Sequence, residues 1–251
     1  MGPTIAQDLL GKTVLITGAS SGLGRACAVR VAARGATVAL IGRNAESLKS
    51  IVPAENENIY TCDLGSEDSL RDLIEKLKSE RNPIYGWILA GGSHSLRPLV
   101  MESVQGMTSL WRVNVQSTLT LLGAALKYRL IEKSGAIVLF SSAAAQMGSA
   151  GVISYASTKG AIEAATRSLA AELGSQKIRV NAVAPGIIRT PMAENYLNKL
   201  SEEQVARLEA RHILGFGQPE DIAGVVSFLL SDDARWITGT VITADGGYSI
   251  G

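Results

Sequence analysis

Cysteine is nearly absent from this chain of 251 residues: Cys27 and Cys62 are the only two, and neither has metal-ligand spacing around it. Their scarcity argues against a disulfide-stapled scaffold and a cysteine metal site, and leaves both thiols to act as small buried hydrophobes. An excess of one charge is also lacking, since 24 Lys and Arg offset 23 Asp and Glu to a net +1. No basic field therefore exists for nucleic acid or an anionic membrane, and any bound phosphate must be gripped locally. Aromatic residues are only 5% of the chain against 46% hydrophobic, which calls for a core of Ala, Val, Ile and Leu, as when helices pack closely on a parallel sheet. Long apolar runs are missing: the uncharged stretch Ser134–Thr158 is interrupted by Ser, Gln and Gly and does not read as a membrane span. The start, Met1-Gly2-Pro3-Thr4-Ile5-Ala6, has no basic region or apolar stretch, and Ala6 spoils a myristoylation pattern, so a cytoplasmic protein is expected.

What the chain does have is a regular alternation of short β-branched runs with amphipathic segments, the pattern of βα units feeding a parallel sheet. Strands are expected at Thr13–Thr17, Thr37–Ile41, Asn58–Thr61, Tyr85–Ala90, Ala136–Phe140, Arg179–Ala184 and Val241–Ala244. Helices are expected at Leu23–Arg34, Asn44–Ile51, Glu67–Arg81, a long stretch within Ser103–Glu132, Ile153–Leu173 and Pro219–Leu230. The fold class is α/β: a three-layer, doubly wound parallel sheet of about seven strands, with residues 1–251 forming one domain. The region 186–217 departs from the alternation. It holds Thr190-Pro191, a helical piece from Ser201 to Arg211 and flanking glycines, and reads as a substrate lid.

The first strand runs into Thr17-Gly18-Ala19-Ser20-Ser21-Gly22-Leu23-Gly24 and then a helix. Glycines there permit positive φ and close backbone approach, and the helix N-terminus offers free N–H groups to a pyrophosphate, so the turn reads as a dinucleotide site. The second strand ends Ile41-Gly42-Arg43-Asn44, without the acid that would bind ribose hydroxyls and repel a 2′-phosphate. Arg43 favours NADP(H), with NAD(H) still possible.

Tyr155 and Lys159 stand four residues apart on an expected helix, hence on one face with Cβ atoms about 5–6 Å apart. A tyrosine titrates near pH 10, so a tyrosine acid working near neutrality needs its pKa lowered by roughly three units, each about 1.36 kcal/mol. An ammonium about 4 Å away at an effective dielectric near 20 is worth roughly 4 kcal/mol, which suffices.

These pieces resemble the short-chain dehydrogenase/reductase family over nearly the whole chain: the Thr17–Gly24 turn, Cys62-Asp63-Leu64, Asn114, Ser141-Ser142, Tyr155-Ala156-Ser157-Thr158-Lys159-Gly160, Asn181-Ala182-Val183-Ala184-Pro185-Gly186, Gly217-Gln218-Pro219-Glu220-Asp221-Ile222-Ala223 and Asp245-Gly246-Gly247. The resemblance implies that Tyr155 is the general acid in carbonyl reduction and that Ser142 hydrogen-bonds the substrate oxygen. It further implies that Lys159 lowers the tyrosine pKa and binds nicotinamide ribose, and that Asn114 holds a water of the proton relay. It also implies cofactor contacts at Gly18, Ser20, Ser21, Gly22, Leu23 and Gly24, adenine contacts at Asp63 and Leu64, and nicotinamide contacts at Pro185, Gly186, Ile188 and Thr190. Where the family usually reads Asn-Asn-Ala-Gly, this chain reads Leu89-Ala90-Gly91-Gly92; the glycines keep close cofactor approach while the asparagine bonds between strands are lost. His94 and Arg97 follow, where they can line the substrate mouth.

The nearest resemblance is to 3-oxoacyl-acyl-carrier-protein reductases, which receive an acidic carrier through basic residues at the mouth; Lys133 matches one such position and Gln176 occupies the other. A keto-sugar, polyol, steroid or small ketone is an alternative substrate, and a catalytically silent NADP(H)-binding sensor or scaffold is an alternative function. The long helices and the C-terminal tail imply a homotetramer. No metal is expected.

Overall fold

The computed structural model describes residues 7–49, 51–52 and 57–250; the N-terminal features at residues 1–6 lie outside them. Seven strands, β1 (Thr13–Thr17), β2 (Thr37–Gly42), β3 (Glu57–Thr61), β4 (Ile84–Leu89), β5 (Ile131–Phe140), β6 (Arg179–Pro185) and β7 (Val241–Ala244), form one sheet in the order β3-β2-β1-β4-β5-β6-β7. Every neighbouring pair is parallel. The helices are α1 (Gly22–Ala33), α2 (Glu67–Glu80), α3 (Val104–Trp111), α4 (Ser117–Lys127), α5 (Ile153–Leu173), α6 (Pro191–Leu197), α7 (Glu202–Ala210) and α8 (Pro219–Leu230).

Strand side chains alternate between two apolar layers, which is what a sheet covered on both faces requires. Val14, Ile16, Ile88 and Val138 face Cys27, Ala28 and Val31 of α1 and Val226 and Leu229 of α8. Leu15, Trp87, Leu89 and Ile137 face Leu73 of α2, Leu121 and Leu122 of α4 and Ile162 of α5. The two cysteines are free and buried, one in each layer, and burial pushes the Cys27 thiol up to about 12. That thiol is inert packing.

Helix ends follow local chemistry. Ser66 caps α2 by accepting from the Ser69 N–H at 3.3 Å, with Glu67 and Asp68 in the first turn. Pro219 opens α8, where Asp221 accepts from the Gln218 N–H at 2.7 Å.

One expected helix is corrected. Residues 44–49 form only turns, because the Asn44 carboxamide accepts from the Glu46 N–H at 2.8 Å and offers the backbone a local alternative to a helix. The long helix expected within Ser103–Glu132 is present from Val104 to Lys127, with a five-residue π turn at Arg112–Gln116 between α3 and α4 that the sequence did not announce. Ile131 and Glu132 belong instead to β5, whose pairing with β4 shifts register between Ile84 and Gly86. Ser134 at φ +62° absorbs that irregularity.

The chain builds outward from β1 to β3 and then returns to the other side of β1 with β4. That reversal opens a crevice at the C-terminal ends of β1 and β4, where ligands of such sheets bind. Beyond β6, the segment from Ile188 to Gly217 leaves and rejoins at a parallel bridge between those two residues. It carries α7 near the expected helical piece and also α6, which was not expected and which starts on Thr190 as cap and Pro191 as first residue.

Candidate active site

The glycine turn after β1 is shaped by steric necessity. Gly18 has φ +67° and lies so close to β4's exit that a Cβ on it would stand 2.9 Å from the Gly91 Cα. A Cβ on Gly24 would stand 2.3 Å from the Gly18 carbonyl oxygen, inside contact distance. These glycines let α1 begin directly behind the turn. Ser21 is the N-cap residue of α1 but its side chain makes no capping bond, and the first turn holds no acid. The free N–H groups and the positive end of the helix dipole therefore face the crevice, a fit for a pyrophosphate.

Around this turn the structure gathers most of the expected cofactor residues. Gly22, at φ +53°, faces Thr190, whose Cγ2 would be 3.3 Å from an added Cβ. Leu64 covers Gly91, with Cδ1 only 2.3 Å from where a Gly91 side chain would begin. Asp63 accepts the Gly65 N–H at 2.9 Å. Arg43 is exposed at the end of β2 and forms no ion pair among the described residues. The missing asparagine ties after β4 are partly replaced: the Gly91 N–H donates to the Thr17 hydroxyl at 3.0 Å, linking the ends of β4 and β1.

The other wall carries Asn114, Ser142, Tyr155 and Lys159. Asn114 is buried inside the π turn, a backbone irregularity frequent at functional sites. It does not serve its own helix; its Nδ2 donates to the Ser93 carbonyl at 2.9 Å and to Thr158 Oγ1 at 3.0 Å, and its Oδ1 accepts the Ser93 N–H at 2.8 Å. Loop, π turn and α5 are thereby fixed together. Of the two serines after β5, Ser141 turns away to Glu163 at 2.9 Å, whereas Ser142 caps the turn Ala143–Ala145 and its hydroxyl bears on the Tyr155 phenol.

Lys159 is buried on α5 and its Nζ donates to the Phe140 carbonyl at 2.9 Å. Nζ lies 5.7 Å from the centre of the Tyr155 ring. The expected lowering of the phenol by the ammonium is not what the structure gives. Burial raises the Tyr155 pKa above its ordinary value, and the opposing pull comes from the Ser142 hydroxyl. The lysine pays for its own burial and is pushed down to about 8.

Three further groups were not singled out in the sequence or were left open there. His94, exposed at the mouth, sets its ring edge against Tyr155 with centroids 4.5 Å apart, and partial desolvation of the ring, then the Lys159 charge, lowers its pKa. Tyr196 of α6 lies 6.1 Å from His94, so α6 borders the same mouth. Thr158, inside the Tyr155–Lys159 string, is the Asn114 partner; only the string's helical spacing hinted at it. Arg97 is exposed, its backbone N–H bonded to the Gly151 carbonyl at 2.6 Å. Lys133 and Gln176 are elsewhere: one near the start of β5, the other just before β6. Seven residues of strand at about 3.3 Å each put Lys133 roughly 20 Å from Phe140 and the crevice.

A phosphate-ready helix at the switch point, facing a buried lysine, a serine and a tyrosine, defines an oxidoreductase that uses a dinucleotide. The comparisons make this particular. A family model described as enoyl-(acyl carrier protein) reductase matches residues 18–249. A 3-oxoacyl-[acyl-carrier-protein] reductase FabG of Thermotoga maritima is 34% identical over 248 residues, covering 96% of this chain and 99% of that protein. A short-chain dehydrogenase/reductase from Brucella melitensis superposes with a TM-score of 0.89 at 28% identity, covering 97% and 99%. A 4-hydroxyisoleucine dehydrogenase complexed with NADH does so at 0.86 and 28%, covering 96% and 100%. The chain belongs to the short-chain dehydrogenase/reductase family, in its classical form and close to the 3-oxoacyl-acyl-carrier-protein reductases, whose members bind NAD(P)(H).

Proposed function

We propose that this enzyme is an NADP(H)-dependent reductase that interconverts a carbonyl and a secondary alcohol, with a 3-oxoacyl thioester as the first substrate to try. The observation that carries the reading is the convergence of buried Lys159 and Asn114 with Ser142 and Tyr155 beside the open N-terminus of α1. The turn Gly18–Gly24 would hold the pyrophosphate, Arg43 the 2′-phosphate, Asp63 and Leu64 the adenine, and Ala90, Gly91, Gly92, Pro185, Gly186, Ile188 and Thr190 the nicotinamide half. The cofactor, when bound, supplies the hydride. Ser142 donates to the substrate oxygen and orients it. Tyr155, kept protonated by burial, delivers its phenolic proton to that oxygen as negative charge develops. Lys159 holds a positive charge close to that oxygen and to the ribose. Asn114 fixes Ser93 and Thr158, and with them the wall along which a replacement proton reaches the phenol. The region 186–217 closes the mouth as a lid within one 251-residue domain, and His94 and Tyr196 contact the substrate there. A cytoplasmic homotetramer completes the reading. The relative from Thermotoga maritima supports an acyl carrier substrate, while Gln176, where such reductases carry a basic residue, favours free thioesters and small ketones.

Oxidation of NADPH and of NADH, measured with 3-oxoacyl thioesters, ketones and keto-sugars, tests this. NADPH is expected to win, Arg43→Ala to narrow its lead, and Tyr155→Phe to lose on the order of 10²–10⁴ in rate with cofactor binding intact. Tight NADPH binding with no turnover of any substrate would leave the silent sensor as the answer.

A further inference from the structure

Outside the residues already given roles, the group with the most unexplained organisation is His212, between α7 and α8. Its side chain is buried, at 3% exposure. Nδ1 stands 2.9 Å from the Leu208 carbonyl oxygen and Nε2 stands 3.1 Å from the Ile187 nitrogen. The carbonyl can only accept and the amide can only donate, so these partners assign the proton to Nδ1 and the lone pair to Nε2. The ring lies flat on Tyr248 at 4.2 Å, tilted by 8°, and meets Phe216 edge-on at 5.1 Å. Tyr248 is held on Arg211 at 4.6 Å. Its tail is turned by Asp245, which accepts the Gly247 N–H at 3.0 Å and the Ser249 N–H at 2.8 Å. Phe216 in turn carries Arg189 at 5.3 Å, and Arg189 pairs with Glu194 of α6 at 3.2 Å and Glu209 of α7 at 3.8 Å.

One imidazole therefore joins three separate pieces of chain: the exit of β6, the end of α7 and the C-terminal turn. Gly186 packs against it so closely that a Cβ there would be 3.0 Å from Nε2 and 2.8 Å from the Asp245 carbonyl oxygen. Four residues beyond Gly186, Thr190 rests against Gly22 in the phosphate turn. The position of Ile187 thus sets how far the 186–190 loop stands from the α1 N-terminus. Phe or Leu at 212 would fill the same space, but neither would accept the Ile187 N–H.

We propose that His212 is a positioning residue for cofactor binding: its Nε2 lone pair anchors the Ile187 N–H and so holds the Gly186–Thr190 loop at a fixed distance from the phosphate turn. This rests on the reading above that the loop borders the nicotinamide. The C-terminal turn acts through the same ring, because Tyr248 is the surface that keeps the imidazole flat.

Three variants of the full chain test it: His212→Phe keeps an aromatic ring and loses the acceptor, His212→Gln keeps an acceptor near the Nε2 position, and His212→Asn reaches only the Nδ1 position. NADPH affinity by fluorescence titration, KM and kcat, and backbone hydrogen exchange of residues 186–190 without cofactor are measured on each. His212→Phe is expected to weaken NADPH about tenfold, the factor that one lost buried hydrogen bond corresponds to. It should raise the KM for NADPH more than it changes kcat, and speed exchange at Ile187, with His212→Gln recovering most of each. Should His212→Phe fail to fold, the pair Gln and Asn decides, with Gln tighter than Asn as the expected order. Equal affinity in folded Phe and wild-type proteins, or Gln no better than Asn, overturns the proposal. If wild-type protein binds neither NADPH nor NADH, the cofactor reading is what fails, and unchanged exchange at Ile187 in the variants would then reject the anchoring as well.

Discussion

Lys159 sets function against stability in a single side chain. Its ammonium is buried on α5 with one carbonyl partner, and burial brings its pKa from an ordinary 10.5 down to about 8. Below pH 8 both folded and unfolded chains hold the proton and the folded state bears the full cost of the buried charge. At about 1.36 kcal/mol per pH unit, that cost is about 3 kcal/mol. Between pH 8 and 10.5 the unfolded chain binds the proton that the folded one has shed, so the cost is relieved as pH rises. Lys159→Met removes the charge and strands the Phe140 carbonyl, a loss of about 1 kcal/mol. The variant is therefore expected to be inactive yet about 2 kcal/mol more stable than wild type in urea at pH 7, with the gain shrinking toward pH 10. A variant less stable than wild type at pH 7 would show that the ammonium's bonds outweigh its desolvation. The same titration shapes the reaction: kcat/KM for reduction, which reports the free enzyme, should hold below pH 8 and fall above it as Lys159 loses its proton.

Between elements, the tie from Thr17 to Gly91 stands in for the asparagine that this chain lacks after β4. Thr17 is buried, and its hydroxyl is the acceptor for the Gly91 N–H. Thr17→Val keeps the shape and leaves that N–H without an acceptor, a loss of about 1–3 kcal/mol. Thr17→Ser should restore it, and thermal melts of the two variants separate the outcomes; equal melting temperatures would mean that the N–H finds another partner. Such ties also explain which elements were legible in advance. The seven strands could be read because each is a short β-branched or apolar run closed within two residues by Gly, Asp, Pro or, after β5, Ser, signals that are local. The change of winding inside the Ser103–Glu132 helix could not. Its π turn is stabilised by Asn114 reaching Ser93 and Thr158, bonds to residues distant in sequence. The helix expected at Asn44–Ile51 failed for the opposite reason, a local bond from Asn44 that apolar periodicity does not register. Likewise the spacing of Tyr155 and Lys159 put both on one face of α5 but did not fix where the ammonium points, which the Phe140 carbonyl decides.

The whole molecule leaves apolar surface that a monomer has no use for. Val104, Met107 and Trp111 are exposed at intervals of three and four, one face of α3, and Leu119 of α4 and Ile153 of α5 are exposed as well. Separately, Phe228 of α8 is exposed, and Trp236 beyond it is 96% exposed. Scattered apolar side chains are ordinary on a protein surface, but a helix face that repeats in register is what a partner helix covers. Two distinct faces, each matched to its own copy by a twofold axis, generate a closed assembly of four. This is the tetramer proposed above, and it predicts that the faces separate. Trp111→Glu buries a carboxylate in one interface and leaves the other untouched, so light scattering should fall from about four times the 26.4 kDa chain to about two. Trp236→Glu should likewise give a dimer, one built on the opposite face, and the double variant should give monomer. The two dimers then differ in activity. Asn114 and Tyr155 lie on the π turn after α3 and on α5, so losing the α3 face loosens the catalytic wall and lowers kcat, whereas losing the α8 face spares it. A wild-type monomer peak, or undiminished activity in both dimers, would place the support of that wall within the single chain, and equal loss in both would deny the α3 face its special role.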